Sequence, residues 1–440
     1  MSAVGFGEQL FVLATITHVR DYHPTVSPLP TTEHEKHLRL LDDIALLLVT
    51  QGSSDVAAVM FEQTTQEIIF YYAKNRATTQ QERAYIELLR SIALSLSDIN
   101  DCTIKLLARV IPMCRAKIIS RLKKLIRCLL IAPVVGEDID GTFNEHLQLR
   151  LPLLLSRGLS PTNFVRNYIS AVRAVNAAQC TNQDLEKLIR FASIIGSYKP
   201  LKNLLSDDTT IRRLRKLGNY YTATKRIART VESFQRTNPT YLSSLNIVFR
   251  EVLPPARYTS TYAEDYIAAL NRYGRSRGLD AVTASALHAA YPRNPEPKGP
   301  TCPLTGVQRV THSVHAECTL AMHALSLRRE WKFVELGVSK GSCWLCEKFL
   351  HIAFAAHDVK FLVSGFHGKL QPGWTCPPLA TARERAAIET LVADALAEIV
   401  ERTLNRRRSD SFPLVEVDGP VQSAVEEVFA EDDMAWLGGV

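Results

Sequence analysis

The chain has 440 residues, 46% of them hydrophobic and 22% charged, with only 20 glycines; this is an ordinary globular composition and excludes a disordered or fibrous chain. The length exceeds what one core usually organises and predicts roughly two or three domains of about 150 residues each. A formal net charge of +7 is modest for this size, so bulk charge does not by itself mark a nucleic-acid binder.

At the N-terminus the apolar patch Leu10 to Ile16 has no basic flank and no small-residue cleavage pattern, and Glu8 precedes it, so no signal peptide is expected. Apolar stretches such as Ile44 to Thr50 and Leu129 to Val135 fall well short of the about 18 residues that cross a bilayer, so no transmembrane segment is expected. Nine cysteines, an odd number in a chain without an export signal, argue against a disulfide framework and for reduced thiols or metal ligands. The expectation is an intracellular protein, in cytoplasm or nucleus, that is not secreted.

From about Glu33 to Tyr273 apolar positions recur at three and four, as in Leu38, Leu41, Ile44 and Leu48, which predicts a succession of helices. Breaks are expected at Ser27-Pro28 to Pro30, Ile111-Pro112, Ala132-Pro133, Lys199-Pro200 and Pro254-Pro255. No fixed-period repeat is present. Lys105, Arg109, Arg115, Lys117, Arg121, Lys123, Lys124 and Arg127 follow one another without an acidic residue, and a second basic group runs from Arg212 to Arg229. Such stretches read either as a solvated helix face or as phosphate-tracking surface, and Ile118, Leu122 and Leu125 add an amphipathic option of membrane-surface or helix-binding type. Residues 1–285 are therefore expected to form a helical region serving substrate presentation or a protein partner.

Five prolines between Tyr291 and Pro303 read as an extended connector or long loop. Beyond it the pattern changes to a helix over Val314 to Leu327, a strand over Trp331 to Val338, a helix from Cys343 to about Ala356, a strand over Val359 to Val363 and a helix over Thr381 to Arg402. Strands joined through a helix are expected to lie parallel. The fold class is thus α+β, with a mostly helical N-terminal region followed by an α/β domain over 286–405 and an acidic tail over 406–440.

Chemistry concentrates in His315-Ala316-Glu317 and Cys343-Trp344-Leu345-Cys346. One histidine and two thiolates supply three zinc ligands and leave a fourth tetrahedral position for water, the composition of a catalytic rather than a closed site. Placed just inside a helix capped by Ser342, Cys343 and Cys346 lie on one face near the positive end of the dipole. Glu317 can then carry a proton from water to a ring nitrogen and on to a departing amine, provided that it and His315 sit at the start of their helix. The rival arrangement recruits His312, closing the site as two histidines and two cysteines and leaving Glu317 incidental.

These motifs resemble the cytidine deaminase-like superfamily, whose signature is His-x-Glu followed by Pro-Cys-x-x-Cys. Within it they are most similar to the fungal nucleic acid/nucleotide deaminase-like family: a helical N-terminal region, His315-Ala316-Glu317, Ser339-Lys340-Gly341-Ser342-Cys343-Trp344-Leu345-Cys346, and His367-Gly368-Lys369 followed by Trp374. The resemblance spans roughly Ser313 to Pro378. It implies an α/β/α deaminase-like domain, zinc held by His315, Cys343 and Cys346, and Glu317 as catalytic acid and base. One departure is Ser342, where proline commonly precedes the first cysteine. The first two strands of such a sheet must precede His315, and Arg250 to Thr259 or Gln308 to Thr311 are the stretches to which they are assigned.

His367 and Lys369 closely follow a strand, where a parallel sheet presents loops to its ligand, so contact with base or phosphate is set against a plain exposed turn. Trp374 and Trp344 could stack on a base, with core packing the alternative for Trp344. The expectation that results is a zinc-dependent hydrolytic deaminase acting on cytosine or adenine in single-stranded nucleic acid or a free nucleotide or nucleoside. The alternative is a non-catalytic, zinc-stabilised interaction or nucleic-acid-binding protein with a deaminase-like fold.

Overall fold

The computed structural model describes residues 32–52, 55–64, 67–95, 98–131, 161–197, 207–237, 246–262, 275, 308–327, 329–366, 371 and 373–409. In chain order the elements are α1 (Thr32–Leu47), β1 (Ala57–Gln63), β2 (Glu67–Lys74), α2 (Gln80–Ser95), α3 (Ile99–Ile131), α4 (Pro161–Ala174), α5 (Asn182–Gly196), α6 (Asp208–Thr237), β3 (Asn246–Glu251), β4 (Tyr258–Tyr262), β5 (Gln308–His312), α7 (Ala316–Ser326), β6 (Phe333–Val338), α8 (Trp344–His357), β7 (Lys360–Val363) and α9 (Ala382–Ser409). The class is α+β. The Pro-rich segment 291–303 and the tail beyond Ser409 lie outside the described residues.

A five-stranded mixed sheet runs β3-β2-β1-β6-β7. β6 and β7 pair parallel, Phe333 opposite Lys360, as a strand-helix-strand unit requires. Of the strands that complete the sheet, β1 and β2 come from the first fifth of the chain and β3, parallel to β2 with Glu67 opposite Asn246, comes from its middle. β1 and β2 form an antiparallel hairpin with Ala57 opposite Lys74, and β1 runs antiparallel to β6 with Ala58 opposite Val338. Expected helical continuity over 33–273 is thus broken by β1, β2, β3 and β4. Of the stretches assigned to the missing strands, Arg250 to Thr259 overlaps the end of β3 and the start of β4, and Gln308 to Thr311 is β5. β4 and β5 form a separate antiparallel ribbon. β2 is a strand and not a helix because its side chains Ile68, Ile69, Phe70, Tyr71 and Tyr72 are β-branched or aromatic and fit a pleated surface.

Alternation along the hairpin sorts side chains between two cores. Val59 and Tyr72 join the cluster built by α1, α3, α5 and α6, whereas Ala58, Met60, Ile69 and Tyr71 join Ala316, Leu320, Ala321 and Leu350 from α7 and α8. The sheet therefore lies between two helical layers, one built from the N-terminal helices and the other carrying the His-Ala-Glu and Cys-x-x-Cys motifs. α1 lies so close to β6 that a Cβ on Gly337 would stand 2.2 Å from the Leu41 backbone carbon. Asp42 of α1 also accepts the Val338 amide at 2.7 Å. Burial pushes the Asp42 carboxyl up to about 7.

Pro112 does not end a helix. α3 is continuous over 33 residues with Pro112 inside it. Proline costs the bond to the carbonyl four residues back, but Val110, Ile111 and Cys114 around it are buried, and that packing outweighs the loss. Ile118, Leu122 and Leu125 are fully buried in the core of the helical layer, which accounts for the amphipathic pattern without a membrane or partner helix. No helix among the described residues is long and apolar enough to cross a membrane.

A buried ionic cluster pins the end of β2. Lys74 Nζ lies 2.9 Å from Asp55 Oδ2 and 2.7 Å from Glu82 Oε1, and it donates to the Leu48 carbonyl at 2.9 Å. Arg76 bridges the same two carboxylates. Burial would raise the Glu82 carboxyl, but hydrogen bonds from Arg76, Lys74 and Thr50 outweigh it and hold the group well below the usual carboxylate range.

Candidate active site

The site forms where two helices begin beside one another. His315 takes an extended conformation (φ −75°, ψ 152°) just before α7, and its carbonyl accepts the Thr319 amide at 3.0 Å, the first bond of that helix. Glu317 is therefore in the first turn, which meets the condition that both residues sit at a helix start. Cys343 stands in the same relation to α8. Its carbonyl accepts the Glu347 amide at 3.0 Å and the helix begins at Trp344, so Cys343 rather than Ser342 holds the position ahead of the first helical residue. The positive ends of two helix dipoles thus face one cluster, an arrangement that favours anionic ligands.

His315 Nδ1 lies 3.5 Å from Cys343 Sγ and 3.2 Å from Cys346 Sγ, and the two sulfurs are 3.3 Å apart. A tetrahedral zinc at 2.0–2.3 Å would hold such donors about 3.5 to 3.8 Å apart. The triangle fits after a small outward shift, and these three residues could hold a metal ion. Both cysteines are buried, and burial pushes their thiols well above the ordinary range. Burial also opposes a charge on His315, but Cys343 and then Glu317 outweigh it and raise the imidazole to about 9. A cation at the centre of the triangle would replace these protons and compensate the buried thiolates.

Glu317 is 3% exposed, and its Oε2 has no hydrogen-bond partner among the described residues. A buried carboxylate oxygen left unpaired is costly unless a ligand or water meets it. Its place in the first turn of α7 puts it two residues from the histidine of the metal triangle.

His312 is not part of the converging group. It ends β5 and stacks on Tyr258, ring centroids 4.6 Å apart at 10°, so the closed arrangement of two histidines and two cysteines does not form. Trp374 is buried beside the site: it bridges to Ser313, and its ring centroid lies 6.4 Å from that of Phe349 on α8. Trp344 is buried within the first turn of α8. His367 and Lys369 lie outside the described residues; the described chain reaches Phe366, which bridges to Ser342.

That bridge accounts for the departure at Ser342. The Ser342 amide donates to the Gly365 carbonyl at 2.9 Å, a bond that proline lacks the N–H to make. Ser339 of the same motif is a clasp: its amide donates to the Ala57 carbonyl and its hydroxyl accepts the Ala57 amide, both at 2.9 Å, joining the end of β6 to the start of β1. Two neighbours were not singled out by sequence reasoning as site residues. Cys318 is fully buried against the Cys346 thiol, and burial raises its own thiol to about 11. Lys340 is within electrostatic reach of His315. Adjacency to Glu317 and Cys343 was the signal available for each. All described cysteines are free thiols.

A family model described as "OTT_1508_deam:-like deaminase" matches residues 314–378, the segment that holds the triangle, Glu317 and Trp374. This part of the chain is deaminase-like. No curated protein and no solved structure matches the chain.

Proposed function

We propose that the chain is a zinc-dependent hydrolytic deaminase that replaces the exocyclic amine of cytosine or adenine by oxygen, in single-stranded nucleic acid or in a free nucleotide or nucleoside. The observation that carries this reading is the pairing of a three-donor triangle, His315, Cys343 and Cys346, with a buried Glu317 carboxylate oxygen that has no partner among the described residues and stands in the first turn of the helix that His315 precedes. When bound, zinc supplies the Lewis acidity that brings the pKa of a neighbouring water to about 7.

The protein's own residues perform the remaining work. His315, Cys343 and Cys346 orient the site from two helix starts that the sheet holds in register. Glu317 accepts a proton from the attacking water and delivers it to the ring nitrogen beside the target carbon. It then transfers the second proton to the departing amine, so that water and an aminated base become ammonia and an oxo base. Burial around Glu317 excludes bulk water from these transfers. A polymer substrate must present the base unpaired or flipped, because the target carbon is out of reach inside a duplex.

Lys340 is the basic residue beside the site that supports a phosphorylated substrate. Lys340 is within electrostatic reach of both His315 and Lys117. Burial, and then Arg121 and Lys340, bring the Lys117 ammonium down to about 8. His367, Lys369 and Trp374 are proposed as further substrate contacts, the helical layer as the element that presents substrate or receives a partner, and the fungal nucleic acid/nucleotide deaminase-like family as the chain's relatives. Free thiols fit an intracellular location.

Incubation of zinc-loaded protein with single-stranded DNA, RNA and nucleosides, followed by mass spectrometry, tests the reading. Uracil- or inosine-type product is expected, falling about 10²–10⁴-fold in Glu317→Gln with zinc content unchanged. A fully active Glu317→Gln overturns the role of Glu317. Absence of product from every pool, with zinc bound, supports the non-catalytic alternative.

A further inference from the structure

On the opposite face of the sheet a second set of ligand atoms converges. His34 and His37 are three apart in the first turns of α1 and so share one face of the helix. Glu335 lies on β6, where Val334, Leu336 and Val338 point towards α7 and α8. Alternation therefore turns Glu335 the other way, to the α1 side that Gly337 also faces.

The Glu335 side chain is only 7% exposed. A carboxylate at such a depth requires compensation. Among the described residues that compensation is two imidazoles, with His34 Nδ1 at 2.5 Å from Oε1 and His37 Nδ1 at 3.1 Å from Oε2. No lysine or arginine among the described residues pairs with it.

We infer that His34, His37 and Glu335 form a second metal site, free of thiolate, which takes a divalent transition ion of the zinc class and fastens α1 to β6. One ligand atom from each residue falls within a span of 4.8 Å. Tetrahedral nitrogen and oxygen donors around zinc lie about 3.3 to 3.5 Å apart; with Oε1 as the ligand atom, His37 Nδ1 at 3.3 Å already suits an ion and the His34 contact opens by about 1 Å. The side chains of His34 and His37 are 23% and 38% exposed, which leaves the solvent side for water as a further ligand.

The surroundings are those of an oriented site. The His34 ring lies 5.2 Å from Phe333 and the His37 ring 5.2 Å from Phe61, edge-on, so two aromatic walls limit rotation of the imidazoles. His37 Nε2 also lies 4.0 Å from Glu33 Oε1, an exposed carboxylate that adds negative charge beside the site. The donor set of two imidazoles and a carboxylate suits zinc, cobalt or nickel and differs in softness from the cysteine triangle, so the two sites can be told apart by spectroscopy.

The test uses the full chain, stripped with a chelator and then reloaded with Zn²⁺ for metal content or with Co²⁺ for absorption. Wild type is expected to hold two equivalents of zinc. His34→Ala/His37→Ala is expected to lose one while keeping the thiolate-to-cobalt charge-transfer band, and Cys343→Ser to lose the band while keeping one equivalent. Added Zn²⁺ should raise the melting temperature of Cys343→Ser but not of Cys343→Ser combined with His34→Ala/His37→Ala. Both histidines are partly exposed, so the double variant should fold, and circular dichroism checks this; should it unfold, Glu335→Gln takes its place in the same measurements. Metal content in the histidine variant equal to wild type, or binding to Cys343→Ser only at millimolar Zn²⁺, overturns the inference. One equivalent that disappears with Cys343→Ser alone also overturns it and leaves the thiolate site standing. One equivalent that survives Cys343→Ser and disappears with the histidines supports it and removes the metal triangle from the proposed active site.

Discussion

Replacing Lys74 by methionine tests whether the buried ionic cluster holds β2 against the sheet. Lys74 is 1% exposed and serves Asp55, Glu82 and the Leu48 carbonyl at once. Removing one partner from a buried pair costs about 3–5 kcal/mol, because it strands the other charge. Here the stranded carboxylates keep some support: Arg76 pairs with both, Thr50 and Gln51 amides donate to Asp55, and the Thr79 amide donates to Glu82. The lower end, about 3 kcal/mol, is therefore expected, a fall of about 150-fold in the folding constant.

The pH dependence fixes the sign. Glu82 is depressed in the folded protein, so the stability it contributes is present above its unfolded value and is lost as pH falls through the folded one. Lys74→Met weakens that depression, so the gap between variant and wild type should be widest near pH 7 and should narrow as the medium is acidified below about pH 4. Urea unfolding followed by circular dichroism at several pH values, with the slope checked for constancy, measures it. A loss under about 1 kcal/mol at pH 7, or a gap that widens on acidification, would refute the reasoning.

Three further outcomes follow from particular contacts. Gly337→Ala places a Cβ 2.2 Å from the Leu41 backbone carbon and should cost about 1–3 kcal/mol in urea unfolding, whereas Gly52→Ala, with nothing within 4 Å, should leave the midpoint unchanged. Ser342→Pro removes the donor to the Gly365 carbonyl and should destabilise by about 1 kcal/mol in the same assay; Ser342→Ala keeps that amide, and an equal loss in both variants would contradict the explanation. With His315 raised to about 9 and the cysteine thiols higher still, zinc must displace protons, so its affinity should climb from pH 6 to pH 8 and calorimetry in buffers of different ionisation enthalpy should register the release of more than one proton. Affinity that stays flat over that range would count against the triangle as the metal site.

The C-terminal half was legible because its signals are local. Phe333–Val338 and Lys360–Val363 are short apolar runs separated by a helix, and the ligands stand at helix starts that their own spacing implies. Ala57–Gln63 was not legible, because both faces of β1 are covered and the period of two that marks a half-buried strand is hidden. The residues that follow it in sequence, Thr64-Thr65-Gln66, include neither glycine nor proline to announce a hairpin. Pro112 misled for the converse reason: the local penalty is real, but the packing of Ile111 and Cys114 that overrides it is long-range. His312 has a spacing from His315 that a zinc site could use, and only the pairing of β5 with β4, which sets its ring on Tyr258, takes it away.

The joining of β1 to β6 has a consequence for how the chain is made. Ala57 and its clasp Ser339 are 282 residues apart, so at synthesis rates of about 5–20 residues per second β1 waits roughly 14 to 56 s for its neighbour. During that interval its outer edge is an open template for pairing with other chains. The helices α2 to α6 emerge within the same interval, and the side chains of α3, α5 and α6 cover one face of the hairpin before the second face has anything to pack against. The helical layer is thus complete in sequence before α7 is made, and shortening it is expected to leave the nascent hairpin more exposed to aggregation.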